Sequence, residues 1–599
     1  MDARGSMLNL RIPDQTLMTL SFCDATVKGL EQWADELPKA NIGETARQLY
    51  HAIIELNQLS AAPTLRMQLL EVVRSPMHFV CTELSKHFLN QSIMLPEKQR
   101  KIANLSQALQ VHLATGYKIV LMNAITQSGP DRHKKLLAQA SHRIIVEFGR
   151  AILRANQLYC ASPDNIWHEM HQIFCFADAH NLRDLKVNDK EMAYKTESSV
   201  ESPYKQVLLL GCCKPNQLRQ NDLNTLYNVL EHWADQVKVS QKRIDNALFV
   251  INMKKDSPPV YRSLVHSAET EQYYGLDTAM LVKQISDYLN TPNPNRRNQS
   301  SDGLAMPEPL SDQIMAHLAQ SLGVLAKRTF KRIASQGNLL ICVGMSATHY
   351  YSAGETEFNK FMINASDDEE EGNKFLNAAN KKNDAWGGAF DAGAGDGMPA
   401  GSSIDFAAGN SEEERKPGYK VYKIPLINTS PGGYCLHWTA EMPGNIQTGE
   451  ILGVKEPGVE GWSIAAIRWI RQIKQQGTQL GVELLAPTAG PCGIQLLQKT
   501  GDNSEFLRAL ILPELTAIGQ PATVITPRLP FQTGQKVMIF ENGSSQRCQL
   551  VKRVSATGSY SRFEIKYLDG MMPFPDPAPS KSTKNSTVED DFDSLWPSL

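Results

Sequence analysis

Two polar side chains at the end of an apolar run, Asn428 and Ser430, are well suited to bind a ligand. They lie in the stretch KIPLINTSPGGYCLHW, in which Pro431 and two glycines separate two apolar runs. Residues two apart in a strand face the same side, so Asn428 and Ser430 can point together at one ligand. Gly433 permits a positive φ or the close approach of another group. The same residues also predict a plain turn, because Asn, Ser, Pro and Gly are the usual turn residues.

Two arginines four residues apart, Arg328 and Arg332, stand just before the first β-rich run. They end the predicted helix LSDQIMAHLAQSLGVLAKRTFKR. Guanidinium groups one helical turn apart can converge on a doubly anionic ligand, and each offers a planar fork to phosphate. The same fork can bond the O6/N7 edge of guanine or stack on its ring. The alternative is a solvated basic helix end that complements the helix dipole.

Together, the two motifs resemble those of the PilZ domain, a bacterial receptor for cyclic di-GMP. That family carries Arg-x-x-x-Arg ahead of a small antiparallel β-barrel, and Asp/Asn-x-Ser-x-x-Gly on a following strand. The segments TGEILGV, IAAIRWIRQI and QLGVELLA resemble the next strands of the family in the right order. The resemblance covers roughly residues 320–354 and 417–490.

The resemblance implies a role for each residue of the two motifs. Arg328 and Arg332 would clamp the phosphates and guanines of cyclic di-GMP. Asn428 and Ser430 would bond a guanine or a phosphate from the barrel face, and Gly433 would leave space for the ligand. A ligand with two phosphates and two purines needs forked cations, flat partners and a few polar groups on a rigid surface, which agrees with this assignment.

The separation between the two motifs is larger than in the family, since Arg332 and Asn428 are 96 residues apart (428 − 332). Most of the excess is the acidic, Gly- and Ala-rich segment 355–416, which we predict to be a mostly disordered insertion. A long insertion is compatible with the barrel, because the entropy of loop closure grows only with the logarithm of length. Its carboxylates could repel the ligand or occupy the arginines. A rival basic pair, Lys416 and Lys420, lacks the planar fork.

Other candidate sites are weaker. His168, His171 and Cys175 share a helix face that a metal could use, but the pattern favours ordinary helix and core residues. The segment GMSAT, residues 344–348, resembles a nucleophile elbow but lacks its second glycine, and no strand–turn–helix order is expected around it. We therefore predict no catalytic residue, no metal site and no cofactor apart from the ligand.

The composition is that of a soluble globular protein, with 42% hydrophobic and 21% charged residues in 599. A net charge of −2 gives no indication of a nucleic-acid polymer or a membrane surface as partner. No apolar run reaches the roughly 18 residues of a membrane span, and the N-terminus lacks a secretory core. The ten cysteines form no Cys-x-x-Cys pair. These features predict a cytoplasmic protein with reduced thiols.

Helical and β-rich patterns divide the chain, and predict an α+β multidomain protein. An all-α N-terminal region precedes a PilZ-like antiparallel β-barrel and a second small β-rich domain. The predicted parts are a helical domain (1–240), a mixed segment and linker (241–300), the PilZ domain (301–490), a small β-rich domain (491–570) and an acidic tail (571–599).

The sequence thus predicts a cyclic di-GMP receptor that is not an enzyme. The family resemblance implies a process such as motility, type IV pili or surface attachment. A protein partner would bind the helical region or the acidic tail, which ends in VEDDFDSLWPSL. The rival hypothesis is a PilZ-like scaffold that has lost ligand binding and holds a pilus or flagellar partner through its helices.

Overall fold

A computed structural model describes most of the chain apart from the termini and several internal segments. The described residues are 8–241, 244, 247–265, 273–291, 304, 306–324, 332–363, 418–474, 476–498, 503–514, 521–541 and 543–568. Arg328, Lys416, most of the predicted insertion and linker, and the predicted tail lie outside them. The chain forms two compact units, Met1–Lys327 with Arg471–Gln475, and Arg328–Ile470 with Gln476–Leu599.

The N-terminal part of the first unit is built from helices, as the amphipathic patterns predict. They are α1 (Val27–Asp35), α2 (Ile42–Gln58), α3 (Pro63–Ser85), α4 (Glu97–Ser128), α5 (Lys134–Gln157), α6 (Ile166–Ala179), α7 (Glu201–Cys212) and α8 (Gln220–Trp233). A two-stranded hairpin of β1 (Val187–Asn188) and β2 (Glu197–Ser198) interrupts them. The prediction of a helical region ahead of β-barrels is confirmed.

Helix α5 is buried on nearly every side, and its buried residues include charged ones. Glu147 accepts from Arg74 at 3.0 Å and from His78 at 2.9 Å. Arg74 also binds Asp189 at 2.7 Å, and Arg143 reaches the same carboxylate at 3.0 Å. Burial alone raises the pKa of Asp189, but the hydrogen bonds and charge of Arg74 lower it to about 2. We call these five residues the buried ionic network.

A small sheet follows the helices in the same unit. Its strands are β3 (Lys238–Ser240), β4 (Phe249–Asn252), β5 (Val260–Tyr261) and β6 (Tyr273–Asp277), in the order β3-β6-β4-β5. Helices α9 (Ala279–Asn290) and α10 (Asp312–Leu322) come after it. The helix predicted to continue to Arg332 therefore ends ten residues earlier. Gly323, at its C-cap, is extended (φ −89°, ψ −167°), so the backbone leaves the helix there.

The second unit begins with a six-stranded closed barrel to which a seventh strand is added. The strands are β7 (Ile333–Ala334), β8 (Asn338–Val343), β9 (Tyr422–Ser430), β10 (Gly433–Trp438), β11 (Ile451–Lys455), β12 (Ser463–Ile473) and β13 (Gly477–Ala486). Their order is β10-β13-β12-β11-β8-β9-β7, and the pairing of β9 with β10 closes the ring. Strands β7 and β8 both pair with β9, and β7 pairs with its C-terminal end.

Two helices occupy segments that the sequence predicted differently. The strand predicted over residues 337–352 ends at Val343, because Gly344 adopts φ +92° and α11 (Met345–Ser352) begins. The β-propensity of its tyrosines and Thr348 is overridden, since strand propensity depends on context. Helix α12 (Phe358–Ile363) occupies the start of the segment predicted as a disordered insertion. Its phenylalanine rings contact His349 and Phe540, which stabilises it.

A second closed barrel completes the unit. Its strands are β14 (Gly490–Leu496), β15 (Leu507–Leu512), β16 (Thr523–Pro527), β17 (Lys536–Glu541), β18 (Ser544–Ala556) and β19 (Tyr560–Tyr567), in ring order β14-β15-β16-β19-β18-β17. Cys492, Ile494, Val524 and Phe563 belong to the apolar core inside it. Among the described residues, no helix combines the length and apolarity needed to cross a membrane.

Candidate functional site

The stretch around Asn428 forms a hairpin between β9 and β10. Ser430 pairs with Gly433 and Asn428 with Cys435, so Pro431 and Gly432 form the two-residue loop. The Ser430 hydroxyl donates to the carbonyl oxygen of Gly433 at 3.3 Å. Asn428 and Ser430 are half-buried and share one face, because side chains alternate along the strand. The chain therefore reverses here, and its polar side chains also present a common face.

Gly433 is required by the barrel itself. Its φ of +141° is rarely adopted by other residues. A β-carbon at this position would overlap the carbonyl oxygen of Val482 on the neighbouring strand β13. Gly433 was expected to allow the close approach of another group, and the group that approaches it is the backbone of β13.

Arg332 lies immediately before β7 and is exposed. Ile333 pairs with Thr429 and Ala334 with Asn428. Continuing this antiparallel register by one residue places Arg332 opposite Ser430. Burial raises the pKa of the Cys435 thiol, and the charge of Arg332 opposes that rise. Arg332 and the Asn-x-Ser motif, 96 residues apart in sequence, are therefore neighbours on the barrel.

Arg328 lies outside the described residues, so its predicted role stays a prediction. Lys416, one member of the rival basic pair, also lies outside them, and Lys420 is exposed just before β9.

The face that carries Asn428 and Ser430 continues across β10 onto β13. Gly433 pairs with Glu483 and Cys435 with Gly481, and directly paired residues share a face. The indole of Trp469 lies against Gly481, where a β-carbon would overlap the ring. Gly433 thus adds no side chain to this face, and the ring of Trp469 covers Gly481. We call this surface, from Arg332 through Asn428 and Ser430 to Glu483 and Trp469, the glycine-floored face.

One ion pair lies at the edge of this face. The Arg468 Nε donates to a carboxylate oxygen of Glu483, and their side chains are 44% and 43% exposed. Burial alone would lower the pKa of Arg468, but the Glu483 charge and hydrogen bond raise it. The sequence motifs did not identify Glu483 or Trp469 as site residues. The register between β10 and β13 locates Glu483, and the contact of the indole with Gly481 locates Trp469. The sequence alone fixes neither.

The histidine-rich helix face is structural. His171 is fully buried, and its ring nitrogens bond the Tyr204 hydroxyl at 2.9 Å and the Ser257 carbonyl at 3.0 Å. Burial lowers the pKa of His171 to about 4. Both ring nitrogens are therefore already engaged within the protein, as predicted for a core residue. No cluster of three potential metal ligands occurs in the described part of the chain.

The GMSAT segment does have the strand–turn–helix order that was not expected, since β8, Gly344 and α11 follow one another. The expectation was wrong because the aromatic and β-branched residues after Gly344 form a helix. Ser346, at the position of a nucleophile, is only 4% exposed. Its hydroxyl is therefore not accessible to a substrate.

Comparisons with known proteins divide the chain into three parts, and the middle part begins between β3 and β4, within the small sheet of the first unit. Three family models match: "Cyclic-di-GMP receptor FimW, N-terminal domain" over residues 28–243, "Cyclic-di-GMP receptor FimW, middle PilZ domain" over 248–491, and "FimW C-terminal beta-barrel domain" over 492–568. A curated relative, the cyclic-di-GMP receptor FimW of Pseudomonas aeruginosa, is 42% identical over 617 aligned residues, which cover all of both chains. No solved structure gives a significant match.

Proposed function

The chain belongs to the FimW family of cyclic-di-GMP receptors, and from this premise we propose that it binds cyclic di-GMP on the glycine-floored face. In this proposal Arg328 and Arg332 bind the phosphates and guanines. Asn428 and Ser430 form hydrogen bonds to the ligand from the strand, and Gly433 leaves space for it because it has no side chain.

The observation that carries the proposal is the pairing of β7 with β9. It brings the guanidinium group of Arg332 to the end of the strand that presents Asn428 and Ser430. A guanidinium fork matches a phosphate, whereas an amide and a hydroxyl match the polar edge of a purine. The ligand offers both kinds of group within one small molecule. A single anion would need the arginine but not the two uncharged side chains.

An aromatic ring on this face supports the same ligand. Gly433 adds no side chain to the face, and the indole of Trp469 covers Gly481. Trp469 is itself half-buried. Aromatic rings stack on purines with a contribution of roughly 1–3 kcal/mol per base. Trp469 is therefore a candidate partner for a guanine.

We further propose that the ligand acts by changing how the chain around Arg328 is held, and that the helical unit binds the protein that receives the signal. Its part in motility, type IV pili or surface attachment follows from the family resemblance. None of the ten cysteines, all of which lie in the described part of the chain, forms a disulfide, which fits a reducing, cytoplasmic location. The names of the matching family models and of the relative describe a receptor, and we propose no reaction for this chain.

Calorimetric titration of the full chain with cyclic di-GMP tests the proposal. We expect saturable binding at micromolar ligand or below. Arg332→Ala should weaken it by about 100-fold, because truncating a charge that binds a charged partner costs roughly 2–5 kcal/mol. Arg328→Ala should weaken it comparably. Arg528→Ala is the matched control, since Arg528 is an exposed arginine in the second barrel.

Absence of binding by the wild-type chain at millimolar cyclic di-GMP would contradict the proposal and favour the non-binding scaffold. Equal weakening by Arg528→Ala and Arg332→Ala would also contradict it, because the effect would then be one of general charge.

A further inference from the structure

We propose that the Arg468–Glu483 pair recognises the Watson–Crick edge of a guanine and so makes the site selective for guanine over adenine. This inference deepens the proposed function and depends on it. Neither residue belongs to the two motifs that identified the site.

The position of Glu483 is the first argument. Its Cα partner across the sheet is Gly433, the last residue of the Asn-x-Ser-x-x-Gly motif. Partners in an antiparallel pair have Cα atoms about 4.5–5.5 Å apart and share a face. Because Gly433 has no side chain, nothing from β10 stands between the Ser430 end of the hairpin and the Glu483 carboxylate. The carboxylate is 43% exposed, so a ligand on this face can reach it.

The second argument is the hydrogen-bonding capacity left in the pair. Arg468 uses its Nε toward one carboxylate oxygen of Glu483. Among the described residues, its two terminal nitrogens have no hydrogen-bond partner, and neither does the second oxygen of Glu483. The pair therefore presents a cationic donor beside an anionic acceptor, and each group can accept a further partner.

That order of donor and acceptor matches guanine. The Watson–Crick edge of guanine has the acceptor O6 next to the donors N1–H and N2–H. Arg468 can donate to O6 while Glu483 accepts from N1–H and N2–H. Adenine has a donor N6–H and an unprotonated N1, so it would place donor against donor and acceptor against acceptor. Unmatched polar groups of this kind discriminate strongly, because they lose their hydrogen bonds on binding.

The surroundings of the pair fit a recognition role. The Trp469 ring lies on the neighbouring Gly481, beside the carboxylate along β13. On the other side, Arg468 is within electrostatic range of Tyr560 in β19, and Glu483 is within range of Tyr560 and Arg562. Exposed ion pairs contribute little to stability. The fold therefore does not need this pair, and its removal should leave the structure intact.

The experiment compares affinities for cyclic di-GMP and cyclic di-AMP in the full chain. The wild type should prefer cyclic di-GMP. Glu483→Ala should weaken cyclic di-GMP binding by about tenfold or more and leave cyclic di-AMP binding within about twofold. Glu483→Gln should lower the ratio of the two dissociation constants by about tenfold, because an amide can pair with either base. Arg468→Ala should weaken cyclic di-GMP binding, with the thermal unfolding midpoint of each variant unchanged.

Glu456→Gln is the matched control. Glu456 is an exposed carboxylate of the same barrel that accepts from the Tyr434 hydroxyl at 2.7 Å. Tyr434 alternates with Gly433 and Cys435, so it faces away from the proposed site. Both affinities should stay within twofold of the wild type.

Two results would overturn the inference. One is an unchanged affinity for cyclic di-GMP in Glu483→Ala. The other is an equal loss for both dinucleotides, which would assign Glu483 a merely structural role. If the wild-type chain binds neither dinucleotide, the proposed function itself fails, whereas wild-type binding with an unaffected Glu483→Ala rejects only the selectivity.

Discussion

The two units use charged residues in opposite ways. In the helical unit, Arg74 and Glu147 are 3% and 0% exposed and bond each other and further charged residues. In the first barrel, Arg468 and Glu483 are nearly half exposed and retain free hydrogen-bonding positions. A buried charge must be fully paired because it has lost its water. The comparison shows that charges are used for structure in the helical unit and are available for binding on the barrel.

The largest effect should come from removing the centre of the buried ionic network. Glu147→Ala leaves Arg74 and His78 buried without their shared carboxylate, and we expect the helical unit to lose roughly 3–5 kcal/mol of unfolding free energy. Urea unfolding followed by circular dichroism measures the loss. Glu44→Ala, which breaks the exposed Arg47–Glu44 pair, is the control and should change nothing measurable. Similar midpoints for the two variants would contradict a structural role for the buried ionic network.

A smaller effect should come from Gly433→Ala in the barrel. The new β-carbon meets the Val482 carbonyl oxygen, and the residue must also hold a φ of +141°. We expect a loss of roughly 1–3 kcal/mol in stability. Gly458→Ala controls for backbone strain, since Gly458 has φ +82° but no atom within 4 Å of the added carbon. If both variants unfold at the same midpoint, the close approach of β13 does not explain the glycine.

The smallest expected effect is a difference in acid sensitivity. Burial, followed by the charge of Arg143, lowers the pKa of His142 to about 3, so this histidine stays neutral in the folded helical unit. The unfolded chain takes up a proton below about pH 6.5, so stability falls as the pH drops from 6.5 towards 3. Asp189, with its pKa lowered to about 2, adds a further loss below about pH 4.

In the barrel unit, two buried groups change the folding stability in opposite directions as the pH falls. Burial raises the pKa of Glu541 to about 6, so folding gains stability as the pH falls from 6 towards 4.5. His349, with its pKa lowered by burial to about 3, acts in the other direction. Hydrogen exchange followed by mass spectrometry at pH 7 and pH 5 should therefore show greater loss of protection in the helical unit. A greater loss in the barrels would contradict this assignment.

The fold was predictable where hydrophobic patterns are regular. Strands β12 and β16–β19 follow alternating or apolar runs, and α2 follows a helical one. Strand β14 was missed because glycine and proline interrupt its sequence, GPCGIQL. Strand β15, LRALIL, was missed because acidic residues flank it. Helix α11 was missed because its aromatic and β-branched residues favour strands. In each case tertiary packing decided between alternatives that local sequence leaves open.

The candidate site was predictable only in part, because strand pairing brings its residues together. Motif spacing identified Arg332, Asn428, Ser430 and Gly433, but their proximity depends on strand pairing. Glu483 and Trp469 lie beside the motif residues only because of the register of β13 against β10 and the fit of an indole on Gly481. No spacing rule in the sequence gives that register. Sequence reasoning therefore found the residues of the motif strand and missed those on its neighbours.

The junction between β7 and β8 has a consequence for how this chain can change over evolution. Paired positions add to 762 in β7 and to 763 in β8, so one extra residue lies between them, near Gly337. Since alternate residues point to opposite faces, losing one of these few residues would turn Arg332 away from Ser430. The number of positions between Ile363 and Tyr422, which is 58, does not set the face of Arg332, because the register of β8 against β9 is fixed by their own pairing. Natural variants of this chain should therefore differ freely in length there and hardly at all between Ala334 and Asn338.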